Sequence, residues 1–253
     1  MYKAEILLDS QAPNGCRLTT MRITLPRFVL AELNTHRKLS KNAGSSRAIS
    51  VIRRIKMVET DPVFPLEWGL NQRGMQASEL LDDETVIDAT CAWKDAINHA
   101  IDAALTLDKL GVHKQLVNRV LEPFVWVDVI VSSTEWDNFF MLRCNPKAQP
   151  EIRKIAEMMR DTLAGSIATP LSWGSWHIPL AQDKAVAVGR LARVSYEAAA
   201  KTDEEEVALT EQLAIDGHWS PFEHVAVASY PTPVASNRNY DPGWVQWRAM
   251  IDG

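Results

Sequence analysis

The stretch Ser78–Leu110 constrains this chain most. Val86, Ala89, Trp93, Ala96, Ile97, Ile101 and Leu105 recur there at mostly three- and four-residue intervals, which lays them along one side of a helix. So long an apolar stripe needs a partner surface, and Gly111 supplies the stop. Strands are legible elsewhere. Thr20–Leu25 alternates Met21, Ile23 and Leu25 with polar residues, a half-buried strand that Pro26 ends. Tyr2–Asp9 reads as an edge strand, Phe124–Ile130 as a buried one and Val225–Tyr230 as another. Pro26 also suits the first turn of a helix carrying Phe28, Val29, Ala31 and Leu33. Further helices are expected at Lys114–Leu121, through Trp136, Phe139, Phe140 and Leu142, through Ile152, Ile155, Met159 and Leu163, and at Asp203–Asp216. Prolines and glycines between Asp61 and Gln76 suggest a loop, and Pro170, Gly174 and Pro179 mark a break. Two blocks of alternating elements make this an α+β chain.

Composition narrows the function. With 253 residues, 46% of them hydrophobic, the chain can bury a sizeable core. It has no apolar run of about 18 residues, and Met1–Ser10 lacks a basic start followed by an apolar stretch, so a cytoplasmic protein without a membrane partner is expected. Cys16, Cys91 and Cys144 are odd in number and form no CxxC pair, which argues against a disulfide framework and a zinc cluster. The formal net charge of −5 disfavours a nucleic-acid polymer as partner, since counterion release needs a basic face. Any anionic ligand must be held by a local cluster.

Two such clusters are present. In the first, His36-Arg37 is followed after seven residues by Ser45, Ser46 and Arg47, with Asn42 between. Arg37 and Arg47 offer forked cationic donors, and the Gly44-Ser45-Ser46 turn offers hydroxyls and backbone NH groups, a set suited to phosphate. Taken alone it is equally a solvated basic turn. The second gathers Arg119, Asn138, Arg143 and Gln149. Asn138 and Arg143 stand five apart, off a common helical stripe, but a helix end would let Arg143 turn inward. An arginine among aromatics is also a common snorkelling surface residue. His218 and His224 do not stack on a helix and have no further ligand cluster, so no metal is expected. Cys144 has no identifiable general base beside it.

The first cluster resembles the flavin-dependent thymidylate synthase signature, Arg-His-Arg, seven residues, Ser. Asn138-Phe-Phe-Met-Leu-Arg143, with Ala148-Gln149 and Glu151-Ile-Arg153, is similar to that family's nucleotide-binding segment. A third resemblance comes out of order. Ala192-Arg-Val-Ser195-Tyr and His218-Trp-Ser220-Pro-Phe-Glu223-His224, which family members carry before the signature, stand here near the C-terminus. Trp244-Val-Gln246-Trp-Arg248 faintly repeats the strand and helix that lead into His36. These features suggest a circular permutation with an overlapping strand–helix unit. The expected layout is a core over 1–180, holding the signature and nucleotide segments, and a permuted FAD-binding segment over 181–253 in the same domain.

The resemblance implies a mixed or antiparallel sheet with flanking helices in permuted order. It implies that His36, Arg37, Asn42, Asn138, Ser195, Ser220 and Glu223 line FAD. Ser45, Arg47 and Arg119 would hold the nucleotide phosphate, and Arg143 would contact the pyrimidine as the catalytic residue. The implied reaction moves a one-carbon unit from methylenetetrahydrofolate to C5 of a pyrimidine deoxynucleotide, with NADPH reducing FAD, in a homotetramer whose sites lie at subunit junctions. Conversion of dUMP to dTMP is favoured. Two departures bear on this: Thr35 replaces the first arginine of the signature, and Ala43 replaces its usual glutamate. They leave open deoxycytidylate as substrate, a hydroxymethyl product, or an inactive scaffold of the same fold.

Overall fold

The structure, a computed structural model, describes residues 1–193, 201–230, 240 and 242–251. Its centre is a five-stranded mixed sheet. β1 (Lys3–Gln11) and β2 (Arg17–Pro26) form an antiparallel hairpin. β4 (Trp126–Ser133) pairs antiparallel with β2 and with the short β3 (Ser40–Ala43). β5 (Thr169–Pro170) adds to β1 in parallel, giving the order β3-β4-β2-β1-β5. Since β5 reaches only Ser10 and Gln11, β1 is an edge strand over most of its length, as its sequence suggests.

The alternation in β2 does what the pattern predicts. Met21, Ile23 and Leu25 face the same side as Val127, Val129 and Val131 of β4, and α6 (Pro150–Ala164) lays Ile152, Ile155, Ala156 and Met159 on them. These α6 side chains are fully buried, so truncating Ile155 to alanine should cost about 2–5 kcal/mol. α1 (Leu30–Asn34) and α5 (Asp137–Arg143) close the ends of this core through Leu33 and Phe139.

The opposite face of the sheet is polar at its centre. Thr20 and Ser132 share a 2.6 Å hydrogen bond, Thr20 meets His177 Nε2 at 2.8 Å, and Ser132 meets His224 Nδ1 at 2.8 Å. Burial pushes both imidazoles down to about 3, so both are neutral at neutral pH. His177 lies in β6 (Trp176–His177), which joins β7 (Ala226–Ala228) and β8 (Trp244–Gln246) in a small antiparallel sheet. Beside it, α7 (Lys184–Arg193) packs Ala187, Val188 and Leu191 on Ile130, Phe222 and Val225. α8 (Asp203–Ile215) lies so close to α7 that a Cβ on Gly189 would come within 2.6 Å of the Glu206 carbonyl oxygen. α9 (Trp247–Ile251) follows β8 directly.

A helical layer covers the end of the sheet. α2 (Val51–Thr60), α3 (Asp83–Lys109) and α4 (Lys114–Val120) pack around Val51, Ile55, Val58, Ile97, Ala100, Ala104, Val117 and Leu121. The long helix holds the whole apolar repeat but starts at Asp83, later than the expected Ser78. Asp82 caps it by accepting from the Thr85 NH at 2.9 Å, and the preceding residues belong to the loop, where Gly69 and Leu80 form an isolated bridge. Gly111 ends it with φ of 77°, a conformation that favours glycine. Among the described residues no helix is long and apolar enough to cross a membrane.

Candidate active site

Pro26 ends β2, and the short turn and α1 that follow carry the chain to His36. Arg143 is the last residue of α5, so its side chain turns back toward α1 as a helix end permits. Its Nε donates to His36 Nε2 at 2.8 Å, and Nη2 reaches Thr35 Oγ1 at 3.3 Å. Thr35 in turn donates to the Glu32 carbonyl at 2.7 Å. The threonine at the signature's first position thus offers Arg143 a hydroxyl acceptor where the resembled signature carries an arginine.

His36 is 8% exposed and edge-on to Phe139, with ring centroids 4.9 Å apart. Burial first, then Arg143 and Lys41, pushes its imidazole down to about 4. It is therefore neutral at neutral pH, and its bond to Arg143 requires Nε2 to be the acceptor. These residues open on a cavity of about 710 Å³ that is also lined by Arg37, Lys38, Trp136, Asn138 and Phe140. Cationic donors over aromatic walls suit a flat, anionic ligand of cofactor size.

The signature loop is held separately. Ser45 caps the short turn Ser46–Ala48, accepting from the Arg47 NH at 3.3 Å. Two residues that the sequence did not single out pin this turn from behind. The fully buried Asn118 gives both amide hydrogens to carbonyls, Ser46 at 2.8 Å and Ile49 at 2.9 Å. Glu122 accepts from Ser46 Oγ and pairs with Arg27 at 2.9 Å and Arg119 at 2.8 Å. Burial raises the Glu122 carboxyl, but Ser46, Arg27 and Arg119 outweigh it and hold it below the usual range. The spacing of Asn118 and Glu122, four apart and flanking Arg119, was the one available signal.

Ser45, Arg47 and Arg119 do not line the 710 Å³ cavity. Arg119 faces a separate cleft with Asn34 and Pro123. A third patch forms where the C-terminal segment meets β3. Asn42 donates to the Leu191 carbonyl at 2.8 Å and accepts from Ser220 Oγ at 3.2 Å, while Glu223 pairs with Arg248 at 2.5 Å. The His218–His224 turn, distant in sequence, thus folds against the signature strand. Ser195 lies outside the described residues. Within one chain the candidate residues gather as three patches joined by β3 and its flanking turns. Cys144, beside Arg143, has its thiol pushed up by burial, an environment opposed to a nucleophilic thiolate.

The family model described as thymidylate synthase complementing protein matches residues 17–167. No curated protein matches the sequence. Among solved structures, a UMP/dUMP methylase PolB from Streptomyces cacaoi, bound with 5-Br UMP, is similar at a TM-score of 0.51 and 14% identity. That alignment covers 65% of this chain and 89% of the other. A second structure of PolB, bound with 5-Br dUMP, aligns at a TM-score of 0.45 and 18% identity over 58% of this chain and 67% of that one. At such identity the likeness to the first is one of fold, and it agrees with the mixed sheet and flanking helices described above. Because the family match spans more than half of its length, the chain belongs to the thymidylate synthase complementing protein family.

Proposed function

We propose that the protein transfers a one-carbon unit to C5 of a pyrimidine deoxynucleotide, with FAD bound and with NADPH and methylenetetrahydrofolate as co-substrates. The observation that carries this reading is Arg143, held by neutral His36 at the mouth of a cavity it shares with Arg37 and Asn138. A guanidinium fixed there can meet a ring carbonyl and stabilise the charge that develops as C5 becomes nucleophilic. The similar PolB is a UMP/dUMP methylase, which supports pyrimidine C5 methylation within this fold.

The donor set fits a flavin. Arg37 and Lys38 supply cations for a diphosphate, Asn138 supplies an amide, and Trp136, Phe139 and Phe140 supply flat apolar walls. Bound there, FAD would supply the hydride that completes a methyl group. The protein's own part is to orient and polarise: Arg143 on the pyrimidine, Ser45, Arg47 and Arg119 on the phosphate, and Asn42, Ser220 and Glu223 on the cofactor. Their separation into patches within one chain supports a homotetramer in which neighbouring subunits complete each site. Ser195 is assigned to the cofactor by resemblance alone.

Thr35 favours a second reading of the substrate. With a hydroxyl where the family carries an arginine, the pyrimidine edge meets one cation fewer, which opens the site to deoxycytidylate or to a hydroxymethyl product. Titrating the protein with FAD, followed by visible absorbance, tests the cofactor assignment. Saturable binding that Arg37→Ala and Asn138→Ala weaken supports it, and binding indifferent to both overturns it.

A further inference from the structure

A cavity of about 510 Å³ opens on the polar face of the large sheet, between α2 and the Arg22, Thr24 and Asp128 end of β2 and β4. None of Ser45, Arg47, Arg119 or Arg143 lines it. Arg54 does, and it is only 4% exposed. Its Nε has no hydrogen-bond partner among the described residues. Glu122 lies within its field but is already engaged by Arg27, Arg119 and Ser46. Burial, then Arg27, brings the guanidinium down to about 10, so it stays charged at neutral pH.

The other charges at this cavity are differently placed. Arg22 is matched by Asp128 at 2.9 Å and the N-terminal ammonium by Asp61 at 2.7 Å. Lys3 and Lys56 stand exposed at the rim, and Trp126 and Met57 add apolar wall. A buried guanidinium with an unmet donor costs the fold stability, and an anion that accepts from it gains that cost as driving force. The combination of one buried, under-satisfied guanidinium, basic rim and aromatic wall describes a ligand site.

We propose that this cavity binds a small organic anion, with a phosphate monoester or carboxylate head on Arg54 and an apolar or aromatic body against Trp126. The cavity borders the signature loop at Gly44 but contains none of Ser45, Arg47, Arg119 or Arg143, and the proposal does not depend on their assignment. It deepens the role of α2, which otherwise only fills space between the sheet and α3.

Isothermal titration of the full-length protein with phenyl phosphate, benzoate and neutral phenol tests the proposal. One of the anions binds saturably, weakens as salt is raised, and outcompetes phenol. Tighter phenyl phosphate binding identifies a phosphate head and tighter benzoate binding a carboxylate head. Arg54→Met weakens the anion by at least about tenfold, with a thermal midpoint equal to or above that of the parent because a buried charge with an unmet donor is gone. Arg47→Ala leaves the affinity unchanged, which separates this site from the nucleotide loop. Lys56→Glu, on the exposed rim, weakens binding without touching the core. The proposal is overturned if neither anion binds, if phenol binds as tightly as both, or if Arg54→Met or Lys56→Glu leaves the affinity unaltered.

Discussion

Replacing Asn118 with alanine tests how the signature loop is held. Asn118 is fully buried, and its amide donates to the Ser46 and Ile49 carbonyls at 2.8 and 2.9 Å. Each bond is worth about 1 kcal/mol net, and each buried carbonyl left without its donor adds about 1 kcal/mol or more. Against this, Asn118 Oδ1 is itself buried without a hydrogen-bond partner among the described residues, and removing it returns about 1 kcal/mol. The balance is a loss of about 3 kcal/mol or more. Urea unfolding of parent and variant measures it, and dUMP titration follows the loop. The variant should unfold at lower urea with an unchanged slope and bind nucleotide more weakly, since Ser45 and Arg47 ride on the released turn. A loss below about 0.5 kcal/mol, the range of inconsequential surface changes, would refute the claim that Asn118 pins the signature.

Three other outcomes are expected. Arg143→Lys keeps the charge but loses the fork that spans His36 and Thr35, and single-turnover kinetics should show a fall of roughly 10- to 100-fold. Acid should destabilise the fold through His36, held at about 4, and His177 and His224, held at about 3. An unfolded histidine titrates near about 6.5, so the unfolded state binds more protons between that pH and the folded values. The stability these groups confer is full above about pH 6.5 and is lost as pH falls toward 4 and then 3. A urea midpoint flat from pH 7 to pH 4.5 would contradict this. Gly189→Ala should cost about 1–3 kcal/mol in thermal unfolding, because its new methyl would meet Glu206 within 2.9 Å at three atoms.

The sequence made legible what obeys a single period. Met21, Ile23 and Leu25 announce β2 because one face is dry against α6, and Arg143 at a helix end is foreseeable from its offset to Asn138. α2 was hidden because Arg53, Arg54 and Lys56 interrupt the stripe of Val51, Ile55 and Val58, and a buried arginine reads in sequence like a solvated one. α7 was hidden for the opposite reason: Val186, Ala187, Val188, Gly189 and Leu191 are buried on several sides, which erases any helical periodicity. Asn118 and Glu122 act on Ser46 across more than 70 positions, a tertiary relation that local pattern cannot carry. The Thr20, Ser132, His177 and His224 network is likewise assembled from segments distant in the chain.

The most direct test of the central claim is turnover. Flavin-loaded protein is supplied with NADPH and methylenetetrahydrofolate, dUMP and dCMP are offered in parallel, and products are identified by mass. The expected product is a pyrimidine nucleotide carrying a new one-carbon group at C5, formed roughly 10- to 100-fold more slowly by Arg143→Lys. Protein that binds FAD and nucleotide yet leaves both nucleotides unchanged would contradict it.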